Sequence, residues 1–232
     1  MTSQDTLEAC KRAAGEAAAQ YVRDGQVVGL GTGSTARHLI LAIGRRCQAG
    51  LRIQGVPTSR DTAALARQVG IPLVETEDSW GIDVTIDGAD QVDPQFNLIK
   101  GGGGALLKEK IVAAAARQLV IMVDYTKRVP VLGNPFPLPV EVVPFGWGST
   151  ARQIEAMGIK PVLRERSGKI FITEAGHYIL DLHVDRIPDP ADLERRLNEI
   201  PGVVETGLFI GRTDVLIVGT PQGVEVQEAR RH

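Results

Sequence analysis

The order of apolar segments predicts an α/β fold, with a parallel sheet covered by helices on both faces and a smaller α+β domain inserted before the sheet's final strand. Three observations carry this. The first half alternates helical and strand-like periodicities, the signature of strand–helix–strand crossovers. Pro130 to Pro139 holds four prolines and interrupts that pattern. Near the end, Val215-Leu216-Ile217-Val218 is a β-branched apolar run expected to rejoin the first sheet. On this reading residues 1–130 with 206–232 form the sheet domain, and 131–205 form the smaller one.

Each element has a local reason. Leu7 to Tyr21 is alanine-rich and helical, with Asp5 as a candidate cap. Val27 to Leu30 is a short strand ending in glycines, and Thr35 to Ile43 reads as a helix. Leu51 to Val56 is a second strand, and Thr62 to Val69 is a helix that Gly70 can stop. Leu73-Val74 and Ile82 to Ile86 read as strands, Ala105 to Arg117 as a helix, and Val120 to Val123 as a buried strand. Beyond the prolines, strands are expected at 141–143, 160–164, 170–173 and 178–184. Helices are expected over 151–157 and 190–199, the second with Pro190 in its first turn. Gly207 to Ile210 is a further short apolar run.

Composition excludes several classes. At 232 residues the chain is long enough for a well-buried core, and its 43% hydrophobic and 23% charged residues are ordinary for a globular protein. A formal net charge of −2 with no dense Lys/Arg block argues against nucleic acid, and 4% aromatics leave few stacking platforms. The most apolar run, Ile111 to Val123, is broken by Arg117 and Gln118 and is too short to span a bilayer. Cys10 and Cys47 have neither metal spacing nor a disulfide framework, and suit a reducing cytoplasm. No signal peptide is expected at Met1.

The chemistry concentrates in three loops. Gly29-Leu30-Gly31-Thr32-Gly33-Ser34-Thr35 follows a strand and opens a helix, where backbone N–H groups and the helix dipole favour an anion such as phosphate. It lacks the lysine of a Walker loop. The second strand ends without the acid that would bind a dinucleotide's ribose, so a smaller phosphorylated ligand fits better. Asp87-Gly88-Ala89-Asp90 follows an apolar strand, where ligands of open α/β sheets bind. These carboxylates suit magnesium or sugar hydroxyls, with Asp93 the one extra metal candidate. Lys100-Gly101-Gly102-Gly103-Gly104 precedes a helix carrying Glu109, a candidate general base. Lys108 and Lys110 beside it are expected to face solvent, and Lys127 is a strand-end lysine, open between a cation for phosphate and a surface position. His38, His177, His183 and His232 have no partners at metal or triad spacing. Gly146 to Arg152 echoes Gly31 to Arg37, and is read as a shared way to open a helix with a Ser or Thr cap.

Taken together, Gly31 to Thr35, Asp87 to Asp90, Lys100 to Gly103 with Glu109-Lys110, and Lys127 recur in the order and spacing of type A ribose-5-phosphate isomerases, and the chain resembles that family over nearly its whole length. Phe136 to Val142 is also similar to it. The resemblance implies a Rossmann-like α/β domain with a smaller inserted α+β, ferredoxin-like, domain. It implies interconversion of the pentose 5-phosphates ribose 5-phosphate and ribulose 5-phosphate in the cytoplasm, in the pentose phosphate pathway. No metal or cofactor, and no nucleic acid or membrane partner, is implied. The assembly it implies is a homodimer or homotetramer. It carries the proton-transferring base onto Glu109, and catalytic contacts with the sugar oxygens onto Asp87, Asp90 and Lys100, Asp87 being a candidate for ring opening. Substrate binding falls to Thr32, Gly33, Ser34, Thr35, Gly88, Ala89, Gly101, Gly102, Gly103, Lys127 and, on the first helix, Lys11. Two rivals stand beside it: a non-catalytic sugar-phosphate sensor, and another enzyme on the same fold, such as an amino-sugar-phosphate deaminase or a CoA transferase.

Overall fold

The structure, a computed structural model, describes residues 2–74 and 80–229, so His232 lies outside the described residues. Helix α1 spans Ser3–Ala18. Its cap is Thr2, whose side chain accepts from the Asp5 N–H while the Asp5 carboxylate accepts from the Thr2 N–H. Asp5 is thus the second half of a capping box and not the cap itself, and the helix starts before Leu7. Strand β1 (Val27–Leu30), helix α2 (Ser34–Gln48), strand β2 (Gln54–Pro57), helix α3 (Arg60–Gln68) and strand β3 (Val84–Asp87) follow. Ser59 caps α3 by accepting from the Thr62 N–H. Leu73, expected in a strand, makes only an isolated bridge to Gly55.

Next come the short strands β4 (Gln91–Val92) and β5 (Leu98–Ile99), helix α4 (Leu106–Ala115) and strand β6 (Leu119–Asp124). Strand β7 (Leu138–Val142), helix α5 (Trp147–Glu155) and strand β8 (Lys160–Leu163) lead to a small hairpin, β9 (Glu165–Arg166) and β10 (Lys169–Ile170). Strand β11 (Tyr178–His183), helix α6 (Pro190–Asn198), and strands β12 (Val203–Thr206), β13 (Leu208–Phe209), β14 (Val215–Thr220) and β15 (Gly223–Glu228) complete the chain.

The chain divides into two compact units, Met1–Ala89 with Lys108–Lys127 and Arg212–His232, and Asp90–Leu107 with Arg128–Gly211. The expected insert, 131–205, lies within the second unit, which also takes in the Lys100 loop.

The first unit is built on a six-stranded sheet in the order β15-β14-β6-β3-β1-β2. Its pairings are parallel except β14 with β15, so Val215 to Val218 does rejoin the first sheet, beside β6. β6 is buried at every position, as a strand covered on both faces must be. Leu30, Leu39, Ile40, Ile43, Val84, Ile86, Val120 and Ile217 share one core with Ala14 and Ala18 of α1. Each such aliphatic side chain contributes about 1.5–3 kcal/mol by leaving water. The parallel pairing sets the carboxyl ends of β1, β2, β3 and β6 along one sheet edge, the edge at which α/β folds bind ligands.

The second unit contains a four-stranded antiparallel sheet in the order β12-β7-β11-β8, with α5 and α6 completing a βαββαβ, ferredoxin-like arrangement. Val140, Val142, Leu180, Leu182, Ile154 and Leu197 fill its core. β7 starts at Leu138, inside the stretch expected to be irregular, and includes Pro139. The Pro139 carbonyl accepts from the Gly207 N–H, so a proline near the strand's start still takes part in the ladder. A further small sheet orders β13-β5-β4. Neither the Gly31 nor the Gly146 segment uses a hydroxyl cap: α2 and α5 begin on Gly33 and Gly146, both at positive φ.

Candidate active site

In the first unit, the Gly31 loop and Asp87 are built against each other. A Cβ at Gly31 would lie 2.1 Å from Asp87 Oδ1, so glycine is what lets the carboxylate come this close. Asp87 is 1% exposed, and its Oδ1 accepts from the N–H of Thr32 at 3.1 Å and of Gly88 at 2.7 Å. One amide of the loop therefore orients a carboxylate and is not offered to a ligand. The Thr32 hydroxyl sits among the hydroxyls of Thr58 at 2.7 Å, Ser59 at 2.9 Å and Thr62 at 3.2 Å, while Thr62 donates to the Gly31 carbonyl. Sequence reasoning missed Thr58, Ser59 and Thr62. Their signal was present, because Thr58-Ser59 directly follows β2 at its carboxyl end.

The start of α2 differs from Thr32. Gly33 and Ser34 are exposed, Thr35 is buried, and no side-chain cap bond closes the first turn of α2. Amides of an uncapped helix start suit a phosphate. Lys127 is half-buried in the turn after β6, without an ion-pair partner among the described residues. Lys11, on α1, lies 3.9 Å from the carboxylate of Glu8.

Glu109 is 5% exposed on α4, which rules out the solvated position an isolated helical glutamate usually takes. Lys110 is also only 5% exposed, contrary to the expectation that it faces solvent. Leu106, Glu109, Lys110, Val112 and Ala113 are all buried, so the inward face of α4 is wider than one stripe and includes both charged residues.

In the second unit, Asp90 Oδ2 accepts from the Gly102 N–H at 2.8 Å, and the Asp90 N–H donates to the Ile99 carbonyl at 2.8 Å. Lys100 is 3% exposed; its N–H donates to the Gly207 carbonyl and its Nζ stands 5.3 Å from the centroid of the Phe209 ring. That distance puts the ammonium within cation–π range of the ring. The Gly104 N–H closes a turn onto the Gly101 carbonyl at 3.0 Å. Gly88, Ala89 and Gly102 are half-buried, Gly101 is buried and Gly103 is exposed. Arg164, another residue missed from sequence, donates to the carbonyls of Gly101 at 2.8 Å and Gly102 at 3.3 Å.

Asp93 is consumed by its own turn: its carboxylate accepts from the N–H groups of Gln95 and Asn97 and from the Asn97 amide. It is therefore no extra metal ligand. Among the described residues no group of three His, Cys, Asp or Glu is arranged to hold a metal ion, and no helix is long and apolar enough to cross a membrane. His38 pairs with Glu8, and His177 with Glu141.

Comparison with known proteins places the chain in a family. Residues 54–223 match the family model of ribose 5-phosphate isomerase A (phosphoriboisomerase A). The ribose-5-phosphate isomerase A of Nitrobacter hamburgensis is 50% identical, over 97% of this chain and 100% of its own. A solved ribose 5-phosphate isomerase from Plasmodium falciparum has a TM-score of 0.94 at 34% identity, covering 97% of this chain and 100% of its own. A D-ribose-5-phosphate isomerase solved in complex with phospho-erythronic acid gives 0.92 at 39%, covering 98% and 100%. This chain belongs to the ribose 5-phosphate isomerase A family.

Proposed function

We propose that this chain interconverts ribose 5-phosphate and ribulose 5-phosphate, with Glu109 as the base and no metal or cofactor. The observation that carries the reading is the buried Glu109 on α4, in a chain 50% identical end to end to a relative named for this activity. Aldose–ketose isomerisation breaks a C–H bond next to a carbonyl. The C2 proton of the open-chain aldose leaves to Glu109, the electron pair moves into the C1–C2 bond, and charge builds on the carbonyl oxygen. The proton of the C2 hydroxyl passes to the O1 oxyanion, the same carboxyl returns its proton to C1, and the C2 carbonyl of the ketose forms. The Lys100 ammonium and the amides of Gly101 and Gly103 answer the developing oxyanion, about 3–4 kcal/mol for each well-placed donor, while the Gly102 amide orients Asp90. Asp87 and Asp90 engage sugar hydroxyls, with Gly88 and Ala89 lining the sugar, and Asp87 assists ring opening. Gly33, Ser34, Thr35, Lys127 and Lys11 hold the phosphate, and Thr32 supports them through its hydroxyl cluster. Binding energy spent on the phosphate fixes the reacting carbons in place.

The chain is proposed to act in the cytoplasm, as a homodimer or homotetramer; light scattering behind size exclusion reads the assembly directly. A coupled assay for ribulose 5-phosphate tests the activity. Wild type should turn over, and Glu109→Gln should lose about 10²- to 10⁴-fold in kcat while still binding inorganic phosphate. Wild type inactive on ribose 5-phosphate would leave the two rival readings, a sensor or another enzyme on the same fold. Near-normal turnover in Glu109→Gln would remove Glu109 as the base.

A further inference from the structure

We propose that Arg164, held by Asp181, is a positioning residue for catalysis: it sets two peptide planes of the polyglycine loop, so that the Gly102 N–H holds Asp90 and the Gly103 N–H meets the oxyanion. The proposal rests on the isomerase reading above. Arg164 follows β8 and is 11% exposed; Asp181 lies on β11 and is 17% exposed. The Asp181 carboxylate takes both Arg164 Nε, at 2.8 Å, and Nη2. Such a bidentate pair fixes the plane of the guanidinium. The remaining nitrogen, Nη1, then reaches two successive carbonyls, Gly101 at 2.8 Å and Gly102 at 3.3 Å.

A trans peptide is planar, and its N–H points opposite to its C=O. Holding a carbonyl therefore aims the amide across the same plane. For the Gly101–Gly102 peptide both ends are engaged: Arg164 on the carbonyl, and the Asp90 carboxylate on the N–H at 2.8 Å. One rigid plane thus links the fixed cation to a proposed sugar-binding acid. For the next plane Arg164 holds the Gly102 carbonyl, which sets the direction of the N–H of the exposed Gly103. Glycines lose more conformational freedom on ordering than any other residue, so four in a row need an outside anchor. The cation also draws charge along each plane, which makes those N–H groups better donors to an anion.

A second contact supports a built site. Phe171 lies with its ring 6.0 Å from the Arg164 guanidinium and 4.5 Å from that of Arg166. A Cβ at Gly104 would meet the same ring at 2.4 Å. The ring thus backs the far end of the loop that Arg164 holds at its near end. Lysine could not replace Arg164 here, because an ammonium has no planar fork to serve Asp181 and two carbonyls together.

The test compares wild type with Arg164→Lys, Arg164→Met and Asp181→Asn. Readouts are kcat and KM for ribose 5-phosphate, and affinity for phospho-erythronic acid and for inorganic phosphate. Phospho-erythronic acid offers a carboxylate where the sugar offers its reacting oxygens. The expected result is a kcat lower by about 10- to 100-fold in Arg164→Met, of the order of losing part of an oxyanion site, with KM changed less than about twofold. Phospho-erythronic acid should bind about tenfold more weakly, inorganic phosphate unchanged, and Asp181→Asn should lie between wild type and Arg164→Met. If Arg164→Met does not fold, Arg164→Lys decides on the same readouts. Wild-type kcat and phospho-erythronic acid affinity in a folded Arg164 variant would overturn the proposal, as would equal weakening of both ligands. Wild type without isomerase activity would instead refute the functional reading on which it rests.

Discussion

Gly31→Ala places a methyl group where Asp87 already is. The added Cβ would lie 2.1 Å from Asp87 Oδ1, 2.4 Å from its Cγ and 2.6 Å from its Cα. Ordinary non-bonded contacts begin near 3.5 Å, so the loop or the carboxylate must retreat by roughly 1.4 Å. Asp87 is 1% exposed. The retreat breaks the bonds to its Oδ1 from the N–H groups of Thr32 and Gly88. Hydrogen bonds to a charged acceptor contribute about 1.5–3 kcal/mol each, so losing both costs at least about 3 kcal/mol. The unfolded-state gain of Gly→Ala, about 0.4–1 kcal/mol, is too small to offset this. In a domain of this size 1 kcal/mol moves Tm by about 2–4 °C, so scanning fluorimetry should show a drop of about 6–12 °C or more. A shift above 1 Å at a group that touches the substrate also costs turnover, on the order of 10²-fold in the coupled assay. Gly103→Ala is the stability control: a Cβ there meets nothing within 4 Å, so its Tm should match wild type. If Gly31→Ala melts and turns over like wild type, the claim that this glycine exists to admit Asp87 is wrong.

Two further outcomes concern metal and pH. Dialysis against EDTA should leave turnover unchanged; loss that magnesium restores would make Asp87 and Asp90 metal ligands. On the surface, the side-chain hydrogen bond from Arg52, with that from its backbone N–H, holds the Asp24 carboxyl below its ordinary value of 3.8. Because the folded pKa is lowered, the pair's stabilisation is complete above the ordinary carboxylate range and is lost as pH falls through the lower folded value. Asp24→Asn should therefore melt below wild type at pH 7, and the gap should close at an acid pH below the lowered folded value. An equal gap at both pH values would sink this reading.

The fold was legible where one periodicity ruled a segment. Val120 to Val123 and Val215 to Val218 are apolar without interruption because both faces of their sheet are covered, and both form strands of that sheet. The strands β4, β5, β12 and β15 were not legible. The first two are held in pairs two residues long, and β15 (Gly223-Val224-Glu225-Val226-Gln227-Glu228) is exposed along its length and gains its order from β14. Pairing of that kind is tertiary and leaves no local mark. The helix starts at Gly33 and Gly146 escaped for another reason. Sequence rules rank Ser and Thr above Gly as caps, yet here the chain needs a left-handed turn just before the helix, which only glycine adopts freely. Lys110 was misplaced because α4 is buried beyond the usual stripe, and a lysine there reads as surface until the packing is known.

The motif itself was legible as glycines and acids, but its supports were not, and the difference has one cause. Each strand-end carboxylate is gripped by backbone N–H groups: Asp87 by Thr32 and Gly88, Asp90 by Gly102, Asp93 by Gln95 and Asn97, Asp124 by Thr126. A backbone donor can come from any residue but proline, so sequence records it only where the approach is too close for a side chain, as at Gly31. The four acids therefore look alike in sequence and differ in what they grip. Asp93 uses both oxygens within its own turn and can only be structural. Asp124 turns back onto Thr126, through both the N–H and the hydroxyl of that residue. Asp87 and Asp90 are instead fixed to the two glycine loops, so moving either loop moves an acid with it. This coupling is why a methyl at Gly31 and the loss of the Arg164 guanidinium, on different loops, should both be felt in turnover, the second without weakening the binding of inorganic phosphate.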